Sequence, residues 1–305
     1  MGRRRRRGRA VHGIFLLDKP VGMTSNSALQ AVRREYDAAR AGHTGSLDPL
    51  ATGVLPICLG EATKVTGYLL EADKSYRFTV QLGATTDSGD ADGTVIERRE
   101  VGALTTADVE PVLARFRGAI EQVPPMHSAI KRDGQPLYRL AHKGIEVARD
   151  ARPARIERLE LLGFDGRDLD LSVTCSKGTY VRSLAMDIGA ALGPGGYVTA
   201  LRRTRAGPFD EDGLVSLDHL RGVVADHGHA GADELLLPVD AGLMDWPRVD
   251  MAGELADFVR QGQPVQVPGA PASGSLRLYD RTRGFLGIGF VRDDGLVAPR
   301  RLMNL

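Results

Sequence analysis

A single carboxylate, Asp48, stands inside the run Gly42-His43-Thr44-Gly45-Ser46-Leu47-Asp48-Pro49-Leu50-Ala51-Thr52-Gly53, with one imidazole, His43, a short way upstream. Glycines open backbone conformations closed to other residues and allow close approach to a ligand, and Pro49 stiffens the chain beside the acid. A rigidly presented Asp suits a site in which that carboxylate is the one reactive group. The same residues also suit an ordinary turn held by an Asx hydrogen bond, so the loop alone does not decide.

Three further segments place polar groups at junctions between elements. Lys19-Pro20-Val21-Gly22-Met23-Thr24-Ser25 reads as a strand-to-helix turn carrying a cation, and Lys74-Ser75-Tyr76-Arg77 puts a phenol at the start of a strand. Lys177-Gly178-Thr179-Tyr180-Val181-Arg182 reads as strand, glycine turn and helix start. Residues two apart do not share a helix face, but in the extended first residues Tyr180 and Arg182 can reach one pocket. Taken singly, each of these groups also reads as solvation or packing. Of seven histidines only His227 and His229 are close together, in a polar stretch without cysteine, whereas a zinc site wants three or four convergent ligands. Neither Gly-x-x-x-x-Gly-Lys-Ser/Thr nor Gly-x-Gly-x-x-Gly occurs. Ser25 and Ser46 lack a nucleophile-elbow context.

The elements that must hold these groups follow from apolar periodicity. Gly13–Leu17 reads as a buried strand, and Thr24 or Ser25 caps a helix running to about Tyr36. Val54–Leu59 predicts a strand, 61–70 a helix, Ser75–Leu82 an alternating strand, 87–93 a polar loop and 106–117 a helix. Strands are expected at Arg155–Phe164, Asp168–Ser176 and Gly196–Thr204, with a helix from Thr179 to Leu192. Residues 124–152, opened by Pro124-Pro125, form a long basic segment whose one helical portion is Leu137–Lys143, as in a functional loop or insertion. Residues 218–240 read as helical. From Pro247 short strands separated by Gly and Pro (Pro264–Val267, Ser275–Tyr279, Phe285–Val291, Leu296–Pro299) predict a small all-β barrel. Strands and helices do not alternate strictly, so the expected class is α+β with a mostly antiparallel sheet.

Net charge is +1 over 305 residues, but six arginines fall within residues 1–10, leaving the rest at −5. Such an arm is expected to be disordered; it suits nonspecific contact with nucleic acid and equally a solvated tail. Residues 124–158 hold eight basic side chains against four acidic ones, which points to a localised polyanion face. Cys58 and Cys175 lie in apolar strand-like runs, as buried thiols of a reducing compartment do. No apolar run approaches the roughly 18 residues of a membrane span, and no signal peptide is recognisable, so the expected location is the cytoplasm.

Together and in order, Leu17-Asp18-Lys19-Pro20-x-Gly-Met-Thr-Ser, the run from Gly42 to Leu55, Lys74-Ser-Tyr-Arg and Lys177-Gly-Thr-Tyr-Val-Arg resemble the TruB family, the bacterial tRNA pseudouridine-55 synthases. Gln122-Val-Pro-Pro-Met-His-Ser-Ala-Ile-Lys131 is similar to that family's RNA-gripping insertion. The resemblance covers residues 12–305. Ser46 stands where relatives often carry another small residue, and the arginine arm is outside the pattern.

The resemblance implies a pseudouridine synthase catalytic domain at 12–246, with the insertion at about 124–152, and a PUA-like RNA-binding domain at 247–305, after a basic arm at 1–11. It implies isomerisation of the uridine at position 55 of the tRNA T-loop, by base flipping, without metal, nucleotide or redox cofactor. Asp48 is then the nucleophile. Arg182 is its ion-pair partner, expected to hold the carboxyl below the usual carboxylate range. Tyr76 stacks on the flipped uracil, Tyr180 and Leu201 complete the pocket, His43 presses on the T-loop, and Lys19 supports the pocket. Lys131, Arg132, Arg139, Arg202 and Arg203 are expected on RNA phosphates. The implied partner is the tRNA T-stem-loop, with no obligatory protein partner, no membrane and a monomeric chain. Two alternatives stand beside this reading: a non-catalytic RNA-binding or tRNA-folding protein, and a guide-RNA-dependent synthase of the same superfamily, which the basic insertion disfavours.

Overall fold

The computed structural model describes residues 8–305 apart from 129, 133 and 142; Arg3 to Arg7 of the basic arm lie outside the described residues. In chain order the elements that frame the site are β1 (Gly13–Lys19), α1 (Ser25–Glu35), β2 (Ala41–His43), β3 (Thr52–Leu59), β4 (Lys74–Leu82) and α2 (Thr106–Ala114). They continue with β5 (Gly118–Gln122), β6 (Arg152–Phe164), β7 (Asp168–Cys175), α3 (Val181–Leu192), β8 (Gly196–Ala206) and α4 (Leu217–Asp233). Seven strands run in the order β1-β3-β8-β4-β7-β6-β5, and β2 pairs with β3 off this path. Only the β3–β8 pair is parallel, so the sheet is mixed and mostly antiparallel, as the sequence implies.

β1 and β3 are apolar without alternation because both of their faces are covered. On one face Phe15, Leu17, Leu55 and Ile57 pack with Ala28, Leu29 and Val32 of α1. On the other, Ile14, Leu16, Val54 and Cys58 join Val65, Leu69 and Phe209, with Ile288 and Met303 from the C-terminal part of the chain. β4 alternates: Phe78, Val80 and Leu82 face the core beneath α3, while Arg77 is exposed. The Thr24 hydroxyl caps α1 by accepting from the Ser27 amide at 3.0 Å.

The parallel crossing of β3 and β8 depends on one glycine. Gly53 has φ +95°, and a Cβ there would lie 2.2 Å from the Arg203 carbonyl oxygen. Gly53→Ala is therefore expected to lower stability by about 3 kcal/mol, from left-handed backbone strain plus a clash that only main-chain movement relieves. Denaturant unfolding of the variant checks this.

The C-terminal part is a four-stranded sheet of β9 (Arg248–Met251), β10 (Gly274–Asp280), β11 (Gly284–Val291) and β12 (Val297–Leu302), in that order, with a helix α5 (Glu254–Arg260). It is fastened to the large sheet at the 3-10 turn Gly60–Lys64, where Lys64 Nζ donates to Leu302 O at 2.6 Å and the Asn304 amide donates to Glu61 Oε2 at 2.9 Å.

Four local expectations need correction. The helix expected at 61–70 is this 3-10 turn followed by a short helix at Thr66–Glu71, because Gly60 adopts φ +55° and the Glu61 amide donates to His12 Nδ1. Pro264–Val267 is not a strand: only Val265 bridges, to Val297, since the prolines at 264 and 268 carry no ladder donor. β5, β9 and α5 were not foreseen, being short and without strong apolar periodicity. α2 ends at Ala114 rather than near 117. Among the described residues no helix is long and apolar enough to cross a membrane.

Candidate active site

The loop between β2 and β3 carries Asp48 and is fixed from several directions. Ser25, at the start of α1, exchanges hydrogen bonds with Leu47: its hydroxyl donates to Leu47 O at 3.0 Å and accepts from the Leu47 amide at 2.6 Å. Pro49 O accepts from the Gly22 amide at 2.8 Å and from Lys19 Nζ at 3.4 Å. The Ala51 amide donates to Asp48 O at 3.1 Å, closing a tight turn around the acid. The bland expectation of a turn is thus correct as geometry. The turn is a rigid mount for a side chain that remains 39 % exposed.

Arg182, second residue of α3, is only 5 % exposed and faces this carboxylate: Nε lies 2.9 Å from Asp48 Oδ2 and 3.5 Å from Asp90 Oδ2. Its other nitrogens donate to Ser88 O at 2.9 Å and His127 O at 2.8 Å. One guanidinium therefore joins the Asp48 loop, the 87–93 loop and the base of the basic insertion. Tyr180, just before α3, has extended backbone (φ −101°, ψ 110°), which lets it and Arg182 serve the same region despite their spacing. Gln122 at the end of β5 holds that residue, accepting from its amide at 3.0 Å and donating to its carbonyl at 3.3 Å.

The electrostatics differ from the expectation in one respect. Arg182 does pull the Asp48 carboxyl down, but burial outweighs it and the pKa lies above the usual carboxylate value, with Asp90 adding repulsion. Burial likewise raises the Tyr76 phenol, against an opposing pull from Arg203, and raises Tyr180; both phenols feel the Asp48 charge. Burial lowers His43, with the Arg203 cation adding to it, so the imidazole is neutral at pH 7. His43 Nδ1 is buried without a hydrogen-bond partner. Lys19 is wholly buried, donates to Pro20 O at 2.8 Å, and is brought down to about 8 by that burial.

Leu201 packs beside Phe78, its cross-strand partner, and lines a cleft of about 520 Å³ with Leu50 and Thr52. Asp48, Tyr76, Tyr180, Arg182 and Lys19 converge through these contacts and fields. Lys131, Arg132 and Arg139 are exposed on the insertion, and Arg132 donates to Ala148 O. One expectation fails. Arg203 is 1 % exposed and points inward, so it is not a phosphate contact. Arg202 stays 37 % exposed at the surface, paired with Asp18 at 2.9 Å and Glu211 at 2.5 Å. Sequence reasoning also missed Asp90 and Gln122. Asp90 was visible only as one acid in a polar turn, and nothing in its spacing links it to Asp48.

Residues 33–181 match the family described as TruB family pseudouridylate synthase (N terminal domain). Residues 182–244 match the tRNA pseudouridylate synthase B C-terminal domain, and 247–303 match the pseudouridine synthase II TruB C-terminal family. The tRNA pseudouridine synthase B of Ectopseudomonas mendocina (strain ymp) is 55 % identical over 97 % of this chain and 96 % of its own length. The chain belongs to the TruB family. It is a pseudouridine synthase of that family, and the protein of the same name from Pseudomonas putida (strain GB-1) is 54 % identical over 97 % of each chain. The fold is shared more widely: a chain in a solved structure of an H/ACA RNP bound to a substrate RNA containing 2'-deoxyuridine superposes with TM-score 0.72 at 24 % identity, covering 96 % of this chain and 85 % of that one. For a TruB family enzyme the site explains why the loop glycines alone were ambiguous: the carboxylate is defined by Arg182, which lies far along the chain.

Proposed function

We propose that this enzyme isomerises the uridine at position 55 in the T-loop of tRNA, with Asp48 as nucleophile and the target base flipped into the pocket. Its relatives named tRNA pseudouridine synthase B support tRNA as the substrate class. The observation that carries the mechanism is the 2.9 Å pair between a partly open Asp48 and a buried Arg182 on a loop fixed at both ends. In the reaction the C1′–N1 bond breaks, the detached uracil turns within the closed pocket, C5 joins C1′, and the C5 proton leaves as N1 gains one; no atom is added or lost. Asp48 traps or stabilises the sugar while Tyr76, Tyr180 and Leu201 retain the base. Extruding the uridine costs a few kcal/mol of stacking, which contacts of the insertion and of His43 with the surrounding RNA offset. Neutral His43 serves as a wedge and not as a proton carrier.

Purified protein and a bare T-stem-loop RNA test the reading: pseudouridine is expected at the T-loop position without any guide RNA. An unmodified RNA that binds tightly would favour a folding or binding role, and modification only with a guide would favour the guided branch. Neutralising Lys131, Arg132 and Arg139 together is expected to weaken binding and flatten its salt dependence by about one unit of slope per lost phosphate contact. An unchanged slope in filter binding moves recognition off the insertion.

A further inference from the structure

Arg203 is among the largest wholly buried side chains in the protein, and among the described residues no carboxylate forms an ion pair with it. Burying a guanidinium away from acids is costly unless its donors are met with good geometry. Here Nε donates to Val54 O at 2.7 Å and Nη2 to Gly45 O at 3.3 Å. Those carbonyls lie on either side of Asp48, one entering the loop and one leaving it into β3. In the β8–β4 register Arg203 is the direct partner of Tyr76, on the same face of the sheet, and its cation opposes the upward shift that burial gives the phenol.

We propose that Arg203 is a positioning residue for the reaction, holding the Tyr76 phenol and both ends of the Asp48 loop in one register through a single buried guanidinium. The inference rests on the reading of Asp48 and Tyr76 as parts of the uridine pocket. It accounts for the absence of an acid partner among the described residues: a carboxylate here would compete for the guanidinium that the two loop carbonyls share beside Tyr76. It also sets the potential of the pocket floor, because the same cation disfavours the charged forms of Lys19 and His43.

The test is single-turnover pseudouridine formation on a T-stem-loop RNA, with RNA affinity and thermal unfolding, for wild type, Asp48→Asn, Arg203→Met, Arg203→Lys, Tyr76→Phe and the two Arg203/Tyr76 double variants. Arg203→Met is expected to slow the chemical step by at least about tenfold while RNA Kd stays within about twofold, since the residue orders reacting groups and touches no phosphate. Arg203→Lys keeps the charge but not the fork, and recovers part of the rate. In the Tyr76→Phe background the Arg203→Met loss is expected to shrink to about threefold or less, because the two changes remove one shared interaction. If Arg203→Met does not fold, the same cycle is read with Arg203→Lys. Equal losses in both backgrounds assign Arg203 to the framework alone and overturn the proposal, as does weakened, salt-sensitive binding at an unchanged rate. If wild type makes no product, or Asp48→Asn does, the functional reading fails with it; if those two behave as expected and the cycle is additive, only this inference fails.

Discussion

If Asp48 is the nucleophile as proposed, Asp48→Asn is expected to lose pseudouridine formation by on the order of 10⁴-fold or more, because an amide cannot take its place. The substitution is close to isosteric, and the turn survives it, since the Ala51 bond is accepted by the Asp48 main-chain carbonyl and Leu47 remains tied to Ser25. Arg182 keeps Asp90, Ser88 O and His127 O, so the buried cation is not orphaned. RNA affinity should therefore stay within about twofold of wild type, binding being carried by surfaces the change does not touch. Stability moves the other way from activity. Burial raises the folded-state pKa of Asp48 above its unfolded value, so the unfolded chain ionises first. Folding stability then falls as pH rises through that window, and the deficit persists at neutral pH. Asn carries no such deficit, and the Tm of Asp48→Asn at pH 7.5 is expected to equal or exceed that of wild type by calorimetry. Substantial turnover by the variant, or a clear loss of Tm, contradicts the assignment.

The fold was legible where burial leaves a periodic mark. β1, β3, β4, β7 and α3 stand close to where apolar runs and alternation put them, because each is buried on one or both faces against a large core. Short elements such as β5 and β9 were not legible; they are stabilised by neighbours and not by their own pattern. In the site, Asp48, Tyr76, Tyr180 and Arg182 were found through motifs in order along the chain, not through spacing. Arg202 and Arg203 show the limit: adjacent arginines read as one basic patch, but alternation along β8 sends Arg203 into the core and leaves Arg202 at the surface between two acids. Two residues of identical charge thus have unrelated surroundings. The sign of the Asp48 shift was likewise illegible, because an ion pair can be inferred from sequence while the depth of its burial cannot.

Arg182→Met is expected to be nearly as damaging as loss of the nucleophile, for a different reason. The cation lies between Asp48 and Asp90, and without it burial and the Asp90 charge act on the Asp48 carboxylate without its opposing pull. Asp48 then binds a proton at higher pH than in the wild-type enzyme. The reaction needs the ionised form, so activity in either protein falls as pH drops through the Asp48 pKa, and in the variant that acid limb moves to higher pH. A loss of about 10³-fold at pH 7.5 that partly recovers by pH 9 is the expected pattern in a pH–rate profile of single-turnover rates. Arg182→Lys restores the charge but not the donors for Ser88 O and His127 O, so its acid limb should return toward wild type while its rate does not. Stability should drop by about 2–3 kcal/mol, less than for a fully enclosed pair because Asp48 keeps access to water. An acid limb unmoved by Arg182→Met would mean that Arg182 does not keep Asp48 ionised. In that case the bond to His127 O would define its role: fastening the base of the basic insertion to the start of α3 beside Asp48, so that order in the insertion and order in the site arise together.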